Sequence, residues 1–378
     1  MRFEELLDRH ERGFLTQIEV ADMLGVTERT FRRWRTRYRD EGEAGLRDRR
    51  LGEPSPRRAP ASAIQRMLDL YSAEYEGFTV KHFHEHLRKR HGYKLGYTVT
   101  RLALQSAGLV QAAPRRGAHR RKRPRRPLEG MLLHQDASRH AWLAGGPALD
   151  LVITLDDATS AIYSAFLVAE EGTVSSLRGL AEVITARGLF CALYTDRGSH
   201  YFHTPEAGGK VDRRRLTQVG RALVQLGIDH IAAYSPQARG RCERAFRTLQ
   251  DRLPKELALA GITGVEAANA YIRDVYLAEH NARFAVPPEQ PHSAFVPAAP
   301  EQWRDVLCLQ ETRQVGNDNT VRWNGRTLQI PQSPLRPHFV RATVRLHQYP
   351  DGAIALFWGP HRIAQFPPPT TTGRRKVA

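Results

Sequence analysis

The sequence predicts a multidomain chain: an all-α region containing a helix-turn-helix, then a mixed α/β layer domain, then a small all-β, barrel-like unit. Three observations predict it. Apolar residues recur at helical spacing through residues 1–110. Short apolar runs ending in acids alternate with amphipathic helices in 128–295, and two-residue alternation takes over in 300–366. The chain has 378 residues, 41% of them hydrophobic, enough for several buried cores. Its net charge is +17, and the first 127 residues, with 29 basic and 16 acidic side chains, carry +13 of it. A basic, aromatic-bearing segment that can fold points to a polyanion, most often nucleic acid. Cys191, Cys242 and Cys308 form no close pair in sequence, which argues against a disulfide framework, a cysteine zinc finger or an iron–sulfur centre. The first 30 residues are charged and lack an apolar core, so no secretory signal is expected. No apolar run nears the ~18 residues of a membrane span. The expected setting is the reducing cytoplasm.

Residues 1–50 read as the helix-turn-helix. Thr16 and Glu19 have capping-box spacing, Gly25 permits a tight turn, and Thr27 can cap the next helix. In that helix Phe31, Trp34 and Tyr38 share one stripe, while Arg29 and Arg33 share another and are the expected groove contacts. A Pro-rich linker, LGEPSPRRAPAS, leads to a second helical unit over 63–110, open to reading as a further DNA-binding unit or as a packing domain. His82, His84 and His86 lie in it. With no Cys or carboxylate beside them to complete a zinc set, they read as surface histidines on a polar helix face. Residues 111–127 are a basic linker with eight Lys or Arg and no acid between Arg115 and Arg126. Arg120, Arg121, Lys122 and Arg123 are the expected phosphate contacts there.

Over 128–295 the order is three strands, then α-β-α-β-α. Asp136 is expected to end the first strand, Asp196 the fourth, and Glu243 stands at the start of a long helix whose Cys242, Phe246, Leu249 and Leu253 form the buried stripe. Carboxylates converging on one crevice are costly unless they meet cations. Hard oxygen ligands without His or Cys favour Mg²⁺ or Mn²⁺, and two such ions can clamp an in-line phosphodiester displacement. Asp156 and Asp157, at the end of the second strand, are rival acids expected in an outer shell. In 300–366, Asn324-Gly325 marks a hairpin and Val340, Ala342, Val344 and Leu346 alternate on one strand face, with Arg341 and Arg345 on the other.

The segments HQDAS, YTDRGSHY and SPQARGRCERAFRTLQDRL, in this order, resemble the catalytic core of retroviral-integrase-like DDE transposases. GVTERTFRRW and GEAGLRDRR upstream resemble bacterial insertion-sequence transposases, and LPKELALAGI with NDNTVRWNGRTLQIP is most similar to the ISNCY family. The resemblance covers nearly the whole chain. It implies an RNase H-like core that binds Mg²⁺ through a D, D and E, which fall here on Asp136, Asp196 and Glu243, with Asp136 shared between two ions. It also implies recognition of terminal inverted repeats in double-stranded DNA, metal-dependent strand cleavage, and attack of the freed 3′-OH on target DNA by at least a dimer. The expected location is then the bacterial nucleoid. Two departures stand out: 46 residues separate Asp196 from Glu243, longer than in retroviral integrases, and the zinc-binding HHCC unit is replaced by the helix-turn-helix. A regulator derived from an inactive transposase, and an RNase H-like nuclease that only cuts, are the rival readings.

Overall fold

In a computed structural model the described residues are 2–48, 58–112, 123–206, 209–234 and 240–368. The chain divides into two compact units, one of residues 1–76 with 86–111 and one of 77–85 with 112–378.

The first unit opens with α1 (Arg2–Glu11), α2 (Gln17–Leu24) and α3 (Glu28–Glu41). The expected capping box forms: Glu19 N donates to Thr16 Oγ1 at 3.3 Å, and Thr16 N donates to Glu19 Oε2 at 2.7 Å. Gly25 ends α2 with φ 68°, a left-handed conformation that costs a residue with a Cβ, and Thr27 then caps α3 through Thr30 N. Phe31, Trp34 and Tyr38 gather on Phe3, with ring centroids 6.1, 6.0 and 5.6 Å away. Seating that stripe turns the opposite arc of α3 outward. Arg29, Arg32 and Arg33 lie on this arc and are exposed. Helices α4 (Ala61–Glu74) and α6 (Tyr97–Ser106) pack together through Met67, Tyr71 and Leu104, and α5 (Val80–Arg90) spans the division between the units.

The surface reading of the α5 histidines is corrected: His82, His84 and His86 are 2%, 8% and 6% exposed. His86 lies against Tyr75 within the first unit. In the second unit His82 stacks on Phe78 and its Nε2 lies 2.6 Å from Glu256 Oε1. Glu85 pairs with Arg252 at 2.7 Å and with Arg283. The charged pattern of α5 reads as a solvated face only if these partners, well over a hundred residues away in sequence, are ignored.

The second unit is built on a five-stranded sheet of β1 (Leu133–His140), β2 (Leu149–Asp156), β3 (Ile162–Val168), β4 (Ala192–Thr195) and β5 (Asp229–Ala232), in the order β3-β2-β1-β4-β5. β1, β2 and β3 are antiparallel neighbours, while β4 runs parallel to β1 and β5 parallel to β4. This is the RNase H-like arrangement. Side chains alternate across each strand, so the sheet feeds two cores. Leu149, Leu151, Ile153 and Leu155 face Cys242, Phe246, Leu249 and Leu253 of α9 (Gly240–Leu259). That core is closed by α10 (Val265–Tyr271), a π-helical turn at Ile272–Tyr276 and α11 (Leu277–Phe284). Leu133 and Leu193 face the opposite core, filled by α7 (Thr173–Arg187) and α8 (Gln218–Gln225).

After α12 (Pro300–Trp303), an all-β region follows: β6 (Leu309–Gln314), β7 (Thr320–Trp323), β8 (Arg326–Gln329), β9 (Thr343–Gln348), β10 (Ile354–Trp358) and β11 (His361–Phe366). Its sheet, in the order β11-β10-β9-β6, is antiparallel and leaves β6 and β11 as edges, so it is open rather than closed into a barrel. The β7-β8 hairpin shares its core. Asn324 and Gly325 both have positive φ, 43° and 74°, as the predicted two-residue hairpin turn requires. Val340 and Ala342 precede β9 rather than lying in it, because Arg341 takes φ 61° and breaks the extended run. Among the described residues no helix is long and apolar enough to cross a membrane.

Candidate active site

Asp136 is the fourth residue of an eight-residue strand, not its end, because β1 stays paired with β2 as far as His140↔Leu149. The parallel register of β1 with β4 is Leu133↔Leu193 and His134↔Tyr194. Asp136 follows this pairing by two residues on β1, and Asp196 follows it by two on the β4 side. Asp196 directly follows β4, where the chain leaves the sheet. Its Oδ1 accepts from Gly198 N at 2.8 Å, and a Cβ on Gly198 would sit 3.1 Å from that same oxygen. The turn after Asp196 is tight around Gly198, where an added Cβ would also meet His200 Cε1 at 3.0 Å. Asp136 is 7% exposed, and its Oδ1 accepts from Ala137 N at 3.0 Å. Both acids act on one reporter: burial, then the charges of Glu171, Asp196 and Asp136, drive the Tyr201 phenol well above its ordinary range.

His134, Asp136 and Ser138 share the β1 face that looks at α9. At the near end His134 Nε2 lies 2.8 Å from Asp157 Oδ1, which also accepts from Arg241 Nε of α9 at 2.6 Å. At the far end Gln250 Nε2 donates to Ser138 Oγ at 2.9 Å. Residues 241 and 250 lie ~13.5 Å apart along α9 but ~180° apart around it, so Arg241 and Gln250 leave the helix on opposite flanks of its buried stripe. On β1, Asp136 lies midway between His134 and Ser138. On α9, Glu243 and Gln250 are two turns apart and share a flank, so Glu243 lies on the flank that turns toward β1. Glu243 itself is exposed in the first turn of α9.

The rival acids have other work. Asp156 is fully buried. One of its oxygens accepts from Gly130 N at 2.9 Å, the other from Thr159 N at 2.7 Å and Thr159 Oγ1 at 2.9 Å, which builds the β2–β3 turn. Burial raises its pKa against those hydrogen bonds. Asp157 takes donors from His134, Arg241, the Arg123 guanidinium and Arg126 N, the last at 2.8 Å. Burial would raise its pKa, but the His134 hydrogen bond, the Arg126 amide and the Arg241 charge outweigh it and hold the carboxyl well below its ordinary range. Arg125 completes the knot, donating to Asp157 O and Ala158 O, both at 3.0 Å, and to Ser160 Oγ at 2.9 Å. Sequence patterning does not single out the Asp157–Arg241 pair. The signal it does contain is one of spacing: Arg241 lies two residues before Glu243, and His134 two before Asp136.

Of the expected DNA contacts, Arg29 and Arg33 are exposed on α3 and form no ion pair among the described residues, and Arg32 joins them. Arg123 is 44% exposed and engaged with Asp157. Arg120, Arg121 and Lys122 lie outside the described residues.

Residues 5–65 match the family described as winged helix-turn helix. Over 95% of its length the chain is 30% identical to y4bF of Sinorhizobium fredii, named as a transposase, covering 79% of that protein. It is 26% identical over 89% of its length to the transposase for insertion sequence IS1202 of Streptococcus pneumoniae, again covering 79% of the relative. Among solved structures, the HTLV-2 integrase catalytic core domain in complex with magnesium is 15% identical, with a TM-score of 0.29 over 39% of this chain and 89% of that one. The simian T-cell lymphotropic virus intasome, in complex with PP2A regulatory subunit B56 gamma, is 16% identical, with a TM-score of 0.33 over 77% and 95%. These structural likenesses are weak, and the family rests on the near full-length transposase relatives. With a helix-turn-helix ahead of an RNase H-like core, and that similarity along almost its entire length, the chain belongs to the insertion-sequence transposases.

Proposed function

We propose that this transposase binds the terminal inverted repeats of its element, cleaves a DNA strand there in a metal-dependent step, and joins the freed 3′-OH to target DNA. Asp136, Asp196 and Glu243 are the metal ligands in this reading. The observation that supports it is that Asp136 stands on β1 and Asp196 directly follows β4, the strand paired in parallel with β1, while α9 bonds β1 through Gln250. Hard carboxylate oxygens, without His or Cys among the assigned ligands, suit Mg²⁺ or Mn²⁺. Two ions there would activate water and stabilise the attacking and leaving oxygens of an in-line displacement. The chain's own residues hold the acids in place: the Gly198 turn fixes Asp196, and paired β1 fixes Asp136. Because two DNA ends must be joined, at least a dimer assembles on DNA. The test is purified protein with a duplex carrying the repeat that flanks the gene, in Mg²⁺ or in EDTA. Nicks and joined products only in Mg²⁺ support the reading. Tight binding with no cleavage in either Mg²⁺ or Mn²⁺ favours a regulator, and nicks without joining favour a nuclease.

Repeat recognition is assigned to α3. Each bidentate arginine–guanine pair discriminates by ~1–3 kcal/mol. Replacing Arg29 and Arg33 with Ala removes two such pairs, ~2–6 kcal/mol, and should therefore lower the preference for repeat over random DNA by about 30- to 20,000-fold, read in a competition shift assay. Unchanged preference would move recognition to 63–110.

The basic linker is assigned to phosphates. Replacing Arg120, Arg121, Lys122 and Arg123 with Ala should weaken binding to any duplex and flatten its salt dependence. The log–log slope should fall by about 0.9 for each phosphate no longer neutralised. An unchanged slope would make the segment a tether only.

A further inference from the structure

We propose that Asp157 is a positioning residue: by holding Arg241 and the Arg123–Arg126 strap on one buried carboxylate, it sets the rotation of α9 and so aims Glu243. The inference rests on reading Asp136, Asp196 and Glu243 as metal ligands.

Three observations support it. The first turn of α9 is weak by itself: it opens on Gly240, a poor helix former, and helix starts carry backbone N–H groups with no partner inside the helix. Arg241, 8% exposed, anchors that turn from outside. Its Nε donates to Asp157 Oδ1 at 2.6 Å, and its Nη2 donates to Pro124 O at 3.0 Å and Arg123 O at 3.4 Å. Second, Arg241 and Glu243 are ~200° apart around the helix, so the anchor and the acid sit at opposite ends of a lever through its axis. A turn of ~20° would displace a side chain standing ~6 Å from that axis by ~2 Å. A reacting constellation tolerates only ~0.5 Å. Third, the strap on Asp157 is the described end of the basic linker, so the segment assigned to DNA phosphates and the helix bearing Glu243 share one anchor.

Asp157 itself carries so many bonds that its replacement can compromise folding, so the primary variant is Arg241→Gln, with Arg241→Lys as the conservative partner and Asp157→Asn as the second site. Each is compared with wild type and Asp136→Asn. Mn²⁺ affinity is measured by electron paramagnetic resonance on the DNA-bound full-length protein, alongside DNA affinity, melting temperature and single-turnover cleavage. Groups that orient metal ligands typically change metal affinity 10- to 100-fold when altered. Arg241→Gln should weaken Mn²⁺ binding by at least about tenfold. It should also slow cleavage ~100-fold, as expected for a ~1 Å misplacement, while DNA affinity stays within about threefold. Arg241→Lys should recover part of the Mn²⁺ affinity. Wild-type Mn²⁺ affinity in folded Arg241→Gln, or activity loss that follows only the unfolded fraction, would overturn the inference. If wild type binds Mn²⁺ no better than Asp136→Asn, the metal-ligand reading falls and takes this inference with it.

Discussion

Asp136→Asn, Asp196→Asn and Glu243→Gln should each abolish metal-dependent cleavage while the proteins still fold and still bind repeat DNA. Each amide keeps the side-chain volume and removes a formal charge that a divalent ion needs. Metal stabilisation of a phosphodiester transition state amounts to several kcal/mol, so a loss of ~10³-fold or more is expected. Asp156→Asn is the matched control. Asp156 stands on β2, the strand next to β1, but spends both oxygens on the turn at Thr159 and on Gly130. An asparagine can keep part of that pattern, so cleavage should stay within a few fold of wild type. The comparison is a time course of strand cleavage in Mg²⁺ at saturating DNA. A dead Asp156→Asn beside an active Glu243→Gln would show the third ligand to be misassigned.

The second large effect concerns stability. Asp157→Asn leaves Arg241 and His134 in the interior facing an uncharged group, and removing one partner of a buried pair costs about 3–5 kcal/mol. The pH dependence has a defined sign. Asp157 is held below its ordinary value of 3.8 in the fold, so as the medium is acidified the unfolded chain takes up this proton first. Its contribution is complete above the ordinary value and is lost as the pH falls toward the folded one. Asp156 works the other way: its raised pKa favours the fold in acid, and that contribution is lost as the pH rises through the folded value. Urea unfolding at a series of pH values between neutrality and pH ~3 should show wild type losing stability in acid, with a shallower loss in Asp157→Asn. Parallel curves for the two proteins would rule out the assigned role of the carboxylate.

The parts legible in the sequence are those with a local signature. The capping box at Thr16 and Glu19, the aromatic stripe of α3, the turn at Asn324-Gly325 and the buried face of α9 each depend on residues a few positions apart, and each forms as its spacing predicts. Asp156 and Asp157 are visible in the sequence as acids at a strand end, but the bonds they make depend on partners that no window of sequence contains. Arg241 meets Asp157 across 84 positions, and His82 meets Glu256 across 174. The same limit explains the misplaced end of β1, since pairing with β2 carries the strand past Asp136. It also explains β6, whose LQETRQ has little strand character until β9 pairs with it.

The strand order has one further consequence. The chain leaves β1 toward β3 on one side of the sheet and returns through β4 to β5 on the other, so the two directions of growth part between β1 and β4, the kind of switch point at which open α/β sheets form a ligand crevice. Asp136 stands on β1 and Asp196 directly follows β4, and each accepts a bond from a backbone N–H within two residues of itself. Extra length between Asp196 and α9 is accommodated in the connection that precedes α8 at small entropic cost. Closing a loop of twice the length costs only ~0.6 kcal/mol. Counting residues from the second acid to the third is thus a poor ruler for this architecture, and the 46 between Asp196 and Glu243 are compatible with an undistorted crevice. The dependable measure is geometric: which strand borders β1 on its parallel side, and which helix crosses that border.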